Sequence, residues 1–181
     1  VFCDPSDGKE DPHAIVVRDH ITGEWAAVSH GFVPADECAR IYDDIARFYN
    51  NAWNNYEMNS RAGGIFSEKI KSLDTPNQMP FLDPNKILNT KGKKGWWTGH
   101  AFKEWMERSL EEKIRLRQEI IYDKEAIKEL SEYLAVEGDE WQSPQGGHDD
   151  FIIAGGGVIC IDKYMPVGAT QVTSTPYREK W

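Results

Sequence analysis

The sequence predicts an α/β domain with a mixed central sheet flanked by helices. Three observations predict it. Short β-branched and apolar runs joined by turn residues open the chain. Stripes of apolar residues at helical spacing follow. Short strand-like runs separate those stripes. At 181 residues, with hydrophobic residues at 40% and charged residues at 28%, the composition is that of a soluble globular protein. One domain of this length buries a core without disulfide staples.

The elements follow in chain order. Val1–Cys3 is short and apolar and ends at Asp4, and Asp4-Pro5-Ser6-Asp7-Gly8 is dense in turn residues, with Asp7 read as turn chemistry. Ala14–Val17 reads as a strand, Ile21-Thr22-Gly23-Glu24 as a hairpin turn, and Trp25–Val33 as the returning strand. Strands joined so closely make an antiparallel meander. Pro34 suits the first turn of a helix, and Cys38, Ile41, Tyr42, Ile45, Phe48 and Tyr49 form its apolar stripe. Trp53–Met58 reads as a buried strand with Glu57 near its end. Gly63-Gly64 loosens the chain before a short helix over Ile65–Leu73.

Asp74–Pro84 contains three prolines and reads as loop, followed by a short strand at Ile87–Leu88. Lys91–Gly99 is basic and glycine-rich and carries Trp96 and Trp97. A second amphipathic helix presents Phe102, Trp105, Met106, Leu110 and Ile114 to the core. Ile120–Tyr122 is a strand candidate. Asp123 caps a third helix with Ala126, Ile127, Leu130, Tyr133 and Leu134 inward. The domain is expected to span 1–165, with a polar, Thr-rich and poorly ordered tail over 166–181.

Several function classes are disfavoured. No apolar stretch is long enough to span a membrane, and no signal peptide opens the chain. The first residue is Val1 rather than Met, which suggests a piece of something larger. Cys3, Cys38 and Cys160 have no zinc-ligand or disulfide spacing and read as buried free thiols in a reducing compartment. No Gly-x-x-x-x-Gly-Lys-Ser/Thr motif offers an ATP site. The net charge of −9 argues against tight, independent binding of nucleic acid, because phosphates call for lysine and arginine. The basic residues do cluster, at Lys91, Lys93 and Lys94 and again at Arg108, Lys113, Arg115 and Arg117. A partner or tethered module would then hold the substrate.

The candidate chemistry lies in carboxylates. Asp4, Asp11 and Glu57 each stand at or just beyond the end of an apolar stretch, and Gly147-His148-Asp149-Asp150 precedes the apolar run Phe151–Ile161. Acids projecting from the rim of one sheet repel one another unless a cation sits between them. Mg²⁺ and Mn²⁺ are the natural ions for a cage of oxygens. His148 stands beside the pair as a possible modulator, and His13, His20, His30 and His100 read as surface or core residues. With Trp96 and Trp97 adjacent, Lys91, Lys93 and Lys94 read either as a solvated loop or as a DNA-facing one.

The ordered set resembles the C-terminal nuclease domain of the large terminase subunit of tailed bacteriophages. The resemblance rests on Asp4 with Asp11 seven positions on, Tyr56-Glu57-Met58-Asn59 followed by Gly63-Gly64, Gly95-Trp96-Trp97-Thr98-Gly99 leading into a helix bearing Lys103, and Gly147-His148-Asp149-Asp150. It covers about residues 1–165. It implies an RNase H-like fold and a two-metal endonuclease, with Mg²⁺ or Mn²⁺ as the ions and double-stranded DNA as the substrate. Under it Asp4 bridges both metals, Glu57 holds one, Asp149 or Asp150 holds the other, and Asp11 is an accessory acid. It also implies an ATPase domain in the same full-length protein, a portal and a small terminase subunit as partners, and the host cytoplasm as location. Other RNase H-like nucleases remain alternatives: a Holliday-junction resolvase, a transposase or a ribonuclease H. So does a non-catalytic acidic module that binds cations or a basic partner.

One segment departs from the family pattern. A helix belongs after the Asp pair, yet the run contains Gly155-Gly156-Gly157, and each glycine costs a helix about 1 kcal/mol relative to Ala. A buried strand is the alternative. If a helix forms, its turn of about 100° per residue keeps Asp149 and Asp150 from facing the site equally. Asp150, as the residue inside the helix, is then preferred as the ligand.

Overall fold

A computed structural model describes residues 1–80, 95–133 and 147–165. Three antiparallel strands open it: β1 (Phe2–Asp4), β2 (His13–Arg18) and β3 (Trp25–Gly31). Helix α1 (Ala35–Phe48) then crosses one face of the sheet, and β4 (Asn55–Tyr56) returns parallel to β1. The strand order is β3-β2-β1-β4, a mixed sheet. The remaining elements are helical: α2 (Arg61–Leu73), α3 (His100–Arg115), α4 (Lys124–Tyr133) and α5 (Asp150–Asp162).

Strand alternation divides the core into two layers. Cys3, Ile15, Val17 and Tyr56 pack on α1 and α2, together with Cys38, Tyr42, Phe66 and Ile70. Phe2, Ala14 and Val16 face the other way, onto α5 and α3. Helix α5 is buried along nearly its whole length, from Asp150 to Ile161. It is thus the inner layer between the sheet and α3. All three cysteines are buried and free.

The far end of α5 is pinned by charge. The Arg18 guanidinium donates to Glu119 at 2.8–3.0 Å and to Asp162 at 2.9 Å, and Trp25 Nε1 also donates to Glu119 at 3.0 Å. The Arg18 and Glu119 side chains are 4% and 1% exposed, so this pair lies in the interior. The ammonium of Lys163 adds a cation–π contact with Trp105.

Several sequence expectations need correction. The glycine run forms the helix that the resemblance implies, and the strand alternative falls. A Cβ on Gly155 would meet the Trp25 ring at 2.7 Å, one on Gly156 would meet Met106 at 2.9 Å, and one on Gly157 would meet the Phe2 ring at 2.5 Å. The propensity cost of these glycines is offset by close packing that no larger residue permits. Helix α2 begins at Arg61, so Gly63-Gly64 lies inside it, and Ser60 caps it by accepting from the Gly63 N–H at 3.1 Å. The strand at Trp53–Met58 shortens to β4, flanked by single bridges at Asn54 and Glu57. Ile120 makes only one bridge, to Glu24. Asp123 does cap α4, accepting from the Ala126 N–H at 2.8 Å. Two apolar residues assigned to helix stripes face solvent instead, Phe48 at 73% and Ile127 at 43% exposed. The strand expected at Ile87–Leu88, the residue Leu134 and the tail from 166 lie outside the described residues. No described helix is long and apolar enough to cross a membrane.

Candidate functional site

The parallel pair β1 and β4 ends on two acids. Asp4 is the last residue of β1, and Glu57 follows β4 directly, its N–H donating to the Cys3 carbonyl at 2.9 Å. Phe2 is opposite Asn55, so Asp4 and Glu57, each two residues further along its strand, project from the same face. In open α/β sheets the carboxyl ends of parallel strands are where ligands gather.

Local packing fixes each acid. A Cβ on Gly63 would lie 2.7 Å from the Met58 Cα and 2.8 Å from the Glu57 carbonyl oxygen. Only glycine therefore lets the first turn of α2 close against the segment bearing Glu57. Asn59 reinforces the placement. Its amide donates to Glu57 Oε1 at 3.2 Å and to the Thr98 carbonyl, while its side-chain oxygen accepts from the Thr98 N–H at 2.7 Å.

The Asp pair enters from the opposite side, at the N-terminus of α5. Asp149 is the residue before the helix and Asp150 its first residue. Their side chains have different surroundings, as one-residue helical rotation requires. Asp149 accepts a charge-assisted hydrogen bond from Lys103 of α3. Asp150 is buried, its Oδ2 lies 3.8 Å from both His30 Nε2 and His148 Nδ1, and that oxygen accepts no hydrogen bond.

These elements enclose an open cleft of about 630 Å³ lined by Asp4, Glu57, His148, Asp149, Asp150 and Asp11. All six were singled out by sequence, and all six share this cleft. Asp11 sits on its rim, 3.5 Å from His148 Nδ1 and well exposed. Asp7 accepts from the Lys9 N–H at 3.1 Å, the turn role expected of it. Lys91, Lys93 and Lys94 lie outside the described residues.

Electrostatics record the crowding. Burial raises the Asp4 carboxyl well above the usual carboxylate range, and the charge and hydrogen bonding of Glu57, then the charges of Asp150 and Asp149, raise it further. Burial opposes the Lys103 ammonium, but its hydrogen bond and charge contact with Asp149 prevail and its pKa rises. His30 is raised chiefly by its interaction with Asp150. Burial pushes Glu129 of α4 up to about 7, with Asp150 and Asp149 contributing.

Among the described residues, no three His, Cys, Asp or Glu side chains stand arranged to hold a metal ion. The donors nevertheless fit one by chemistry. They are hard carboxylate oxygens of the kind Mg²⁺ and Mn²⁺ prefer. One of them, Asp150 Oδ2, is buried without a donor. Another, on Asp4, is driven towards protonation by burial and then by its acidic neighbours.

Sequence reasoning missed three residues at this site. His30 was read as a surface or core residue, yet its ring packs on Phe151 with centroids 4.6 Å apart and reaches Asp150. The available signal was register: in the meander Asp4 pairs with Ala14, and Ala14 with His30. Lys103 was noted on its helix but not as the partner of Asp149. Glu129 carried no signal, and its role depends on tertiary packing alone.

No protein-family model matches the chain. No curated protein matches it by sequence. Solved structures do match by shape. The large terminase nuclease from thermophilic phage G20c with bound magnesium superposes with a TM-score of 0.66 at 16% identity, over 84% of this chain and 75% of that one. The same nuclease with bound cobalt gives 0.68 at 15% identity, over 88% and 79%. The large terminase nuclease domain of Thermus phage P74-26 gives 0.61 at 14%, over 85% and 74%. With its mixed sheet, its acids at the ends of β1 and β4 and its buried α5, this chain has the RNase H-like fold of the large terminase nuclease domain.

Proposed function

We propose that this domain is a metal-dependent endonuclease that cuts double-stranded DNA, working as the large terminase nuclease does on concatemeric viral DNA during genome packaging. One observation carries the reading: Asp4, Glu57, Asp149 and Asp150, from three separate elements, converge on one cleft. The magnesium- and cobalt-bound states of the similar phage G20c nuclease support it.

Asp4, Glu57, Asp150 and Asp149 are the residues that would hold the ions, with Asp11 as an accessory acid at the rim. Two divalent cations, Mg²⁺ or Mn²⁺, would supply activation of water and stabilisation of the departing 3′ oxygen in an in-line displacement. The chain's own contribution is placement. Strand ends and a helix terminus hold the carboxylates on rigid elements, where precision is greatest. Asn59 orients Glu57. Lys103 holds Asp149 until a cation competes for it. His148, between Asp11 and Asp150, is positioned to modulate cutting.

The net charge of −9 fits a nuclease delivered to DNA by other parts. An ATPase domain of the same full-length protein, a portal and a small terminase subunit fill that role in this reading.

Incubation of supercoiled plasmid with Mn²⁺ tests it. Nicking by the native sequence and none by Asp4→Ala is the expected result. No nicking by either would overturn the nuclease and leave an acidic cation-binding module. Preferential cutting of a four-way junction or an RNA–DNA hybrid over linear duplex would move the activity to another branch of the RNase H-like fold.

A further inference from the structure

Helix α5 is capped in an unusual way. The first amides of a helix have no intrahelical acceptor. The residue preceding the helix normally supplies one, and Asp is among the best residues for it. Asp149 occupies that position and makes no such bond. Its carboxylate is turned to Lys103 instead. Asp150 Oδ2 takes no hydrogen bond either.

The vacant task is done from another helix. Glu129 of α4 reaches across, and its Oε1 accepts from the Phe151 N–H at 2.7 Å and the Ile152 N–H at 3.1 Å. These are the second and third residues of α5, the two amides that a local N-cap would serve. A carboxyl group here also meets the positive end of the helix dipole.

We infer that Glu129 is a positioning residue for the carboxylate site: by capping α5 from outside, it frees Asp149 from its local capping role and leaves both Asp149 and Asp150 directed at the cleft. Without Glu129, two buried amides would lose their acceptor, and Asp149, at the N-cap position, is the residue whose side chain would ordinarily serve them. Turning inward to cap, Asp149 would leave Lys103 and the cleft. This inference rests on the nuclease reading for the purpose of the arrangement, but not for the cap itself.

Glu129→Ala and Glu129→Gln separate the possibilities. Gln keeps a side-chain carbonyl that accepts from the same amides. Three measurements apply: hydrogen exchange at the Phe151 and Ile152 amides, calorimetric affinity for Mn²⁺, and the Mn²⁺ concentration giving half-maximal plasmid nicking. Glu129→Ala should lose protection at those amides and weaken Mn²⁺ binding about 10–100-fold, the usual effect of removing a group that orients a metal ligand. Its rate at saturating Mn²⁺ should fall much less. Glu129→Gln should retain both protection and affinity. Unchanged protection and affinity in Glu129→Ala, or equal loss in the two variants, would overturn the inference. If Glu129→Ala does not fold, Glu129→Asp, one methylene short, should show the same losses. If the native sequence neither binds Mn²⁺ nor cuts, the nuclease reading and the positioning role fall together, and exchange at the two amides still decides the cap.

Discussion

Replacing Gly157 by Ala should destabilise the protein although it improves helix propensity. In an unconstrained helix the exchange gains about 1 kcal/mol. At this position the added Cβ would stand 2.5 Å from Cδ1 and Cγ of Phe2 and 2.6 Å from Cδ2. Carbon atoms in contact prefer about 3.5–4.0 Å, so the ring must retreat by about 1 Å. It has nowhere to go. Phe2 is fully buried, and its ring abuts that of Trp96 with centroids 5.1 Å apart. Trp96 is in turn fully buried against Phe102, 5.0 Å away. Overpacking of this kind costs about 1–3 kcal/mol. Three ring contacts this short put the cost in the upper part of that range, about 2–3 kcal/mol, so the net loss should be about 1–2 kcal/mol, or about 2–8 °C in Tm for a chain of this size.

The control is Gly64→Ala, also within a helix, where an added Cβ meets nothing within 4 Å. That variant should gain about 0.5–1 kcal/mol. Thermal melts of the two variants, followed by circular dichroism, therefore move in opposite directions. Gly157→Ala melting at or above the native temperature would refute the reasoning that close packing of α5 on β1 made the glycines necessary. A functional consequence follows from geometry. Phe2 and Asp4 share one face of β1, so displacing the strand shifts Asp4 relative to Asp150. Misplacement by about 1 Å can cost a site about 100-fold in rate. Metal-dependent nicking by Gly157→Ala, measured below its melting temperature, should drop more than its stability loss explains.

Three other outcomes are expected. In metal-free buffer, stability should fall as pH rises from 4.5 to about 7. In that window the folded protein keeps a proton on Glu129 that the unfolded chain has released, and the raised Asp4 and His30 act in the same direction while the lowered His13 opposes them. Melts at pH 5 and pH 7.5 should show this fall, and Glu129→Gln should flatten it; a rise with pH would contradict it. Glu119→Ala should cost about 3–5 kcal/mol by denaturant titration, because it strips a buried guanidinium of a bidentate partner. A cost below about 1 kcal/mol would show that Asp162 alone satisfies Arg18. Mn²⁺ at 100 times its dissociation constant should stabilise the native protein by about 2.7 kcal/mol, and Asp4→Asn should lose that response; equal thermal shifts would remove Asp4 from the cation site.

The legible and illegible features differ in physical kind. Asp4, Glu57, Asp149 and Asp150 were visible because a charged residue at the border of an apolar run marks a strand or helix end, which is a local property. Their meeting in one cleft follows from the parallel pairing of β1 with β4 and from α5 lying across both. Helix α1 was also legible, because its stripe repeats over 14 residues. Stripe width was not. Phe48 and Ile127 lie at the edges of apolar faces broader than the surfaces covering them. The glycines misled at two places for one reason. Propensity weighs a glycine against an exposed helix, whereas Gly63 and Gly157 lie where a backbone or a ring leaves no room for a Cβ. His30 required strand register, and Glu129 required the docking of α4 on α5. Neither is written in the local pattern.

The balance of charge in the cleft explains why its acids have such unlike partners. Four carboxyl groups of the cleft, those of Asp4, Glu57, Asp149 and Asp150, interact electrostatically with one another or with that of Glu129 on the neighbouring α4. Leaving all of them ionised and unpaired in a partly buried space would be costly. Each receives a different remedy. Asp4 is biased towards its protonated form. Asp149 has the Lys103 ammonium, and Glu129 has two helix amides. Glu57 has the Asn59 amide, and Asp150 has two imidazoles at 3.8 Å. The remedies at Asp4 and Asp149 depend on a proton and an ammonium, both of which a divalent cation can replace. Glu129, although burial biases it towards a proton as well, keeps two backbone amides that a cation cannot replace. That difference separates residues suited to hold a metal from one suited to hold the helix that carries them.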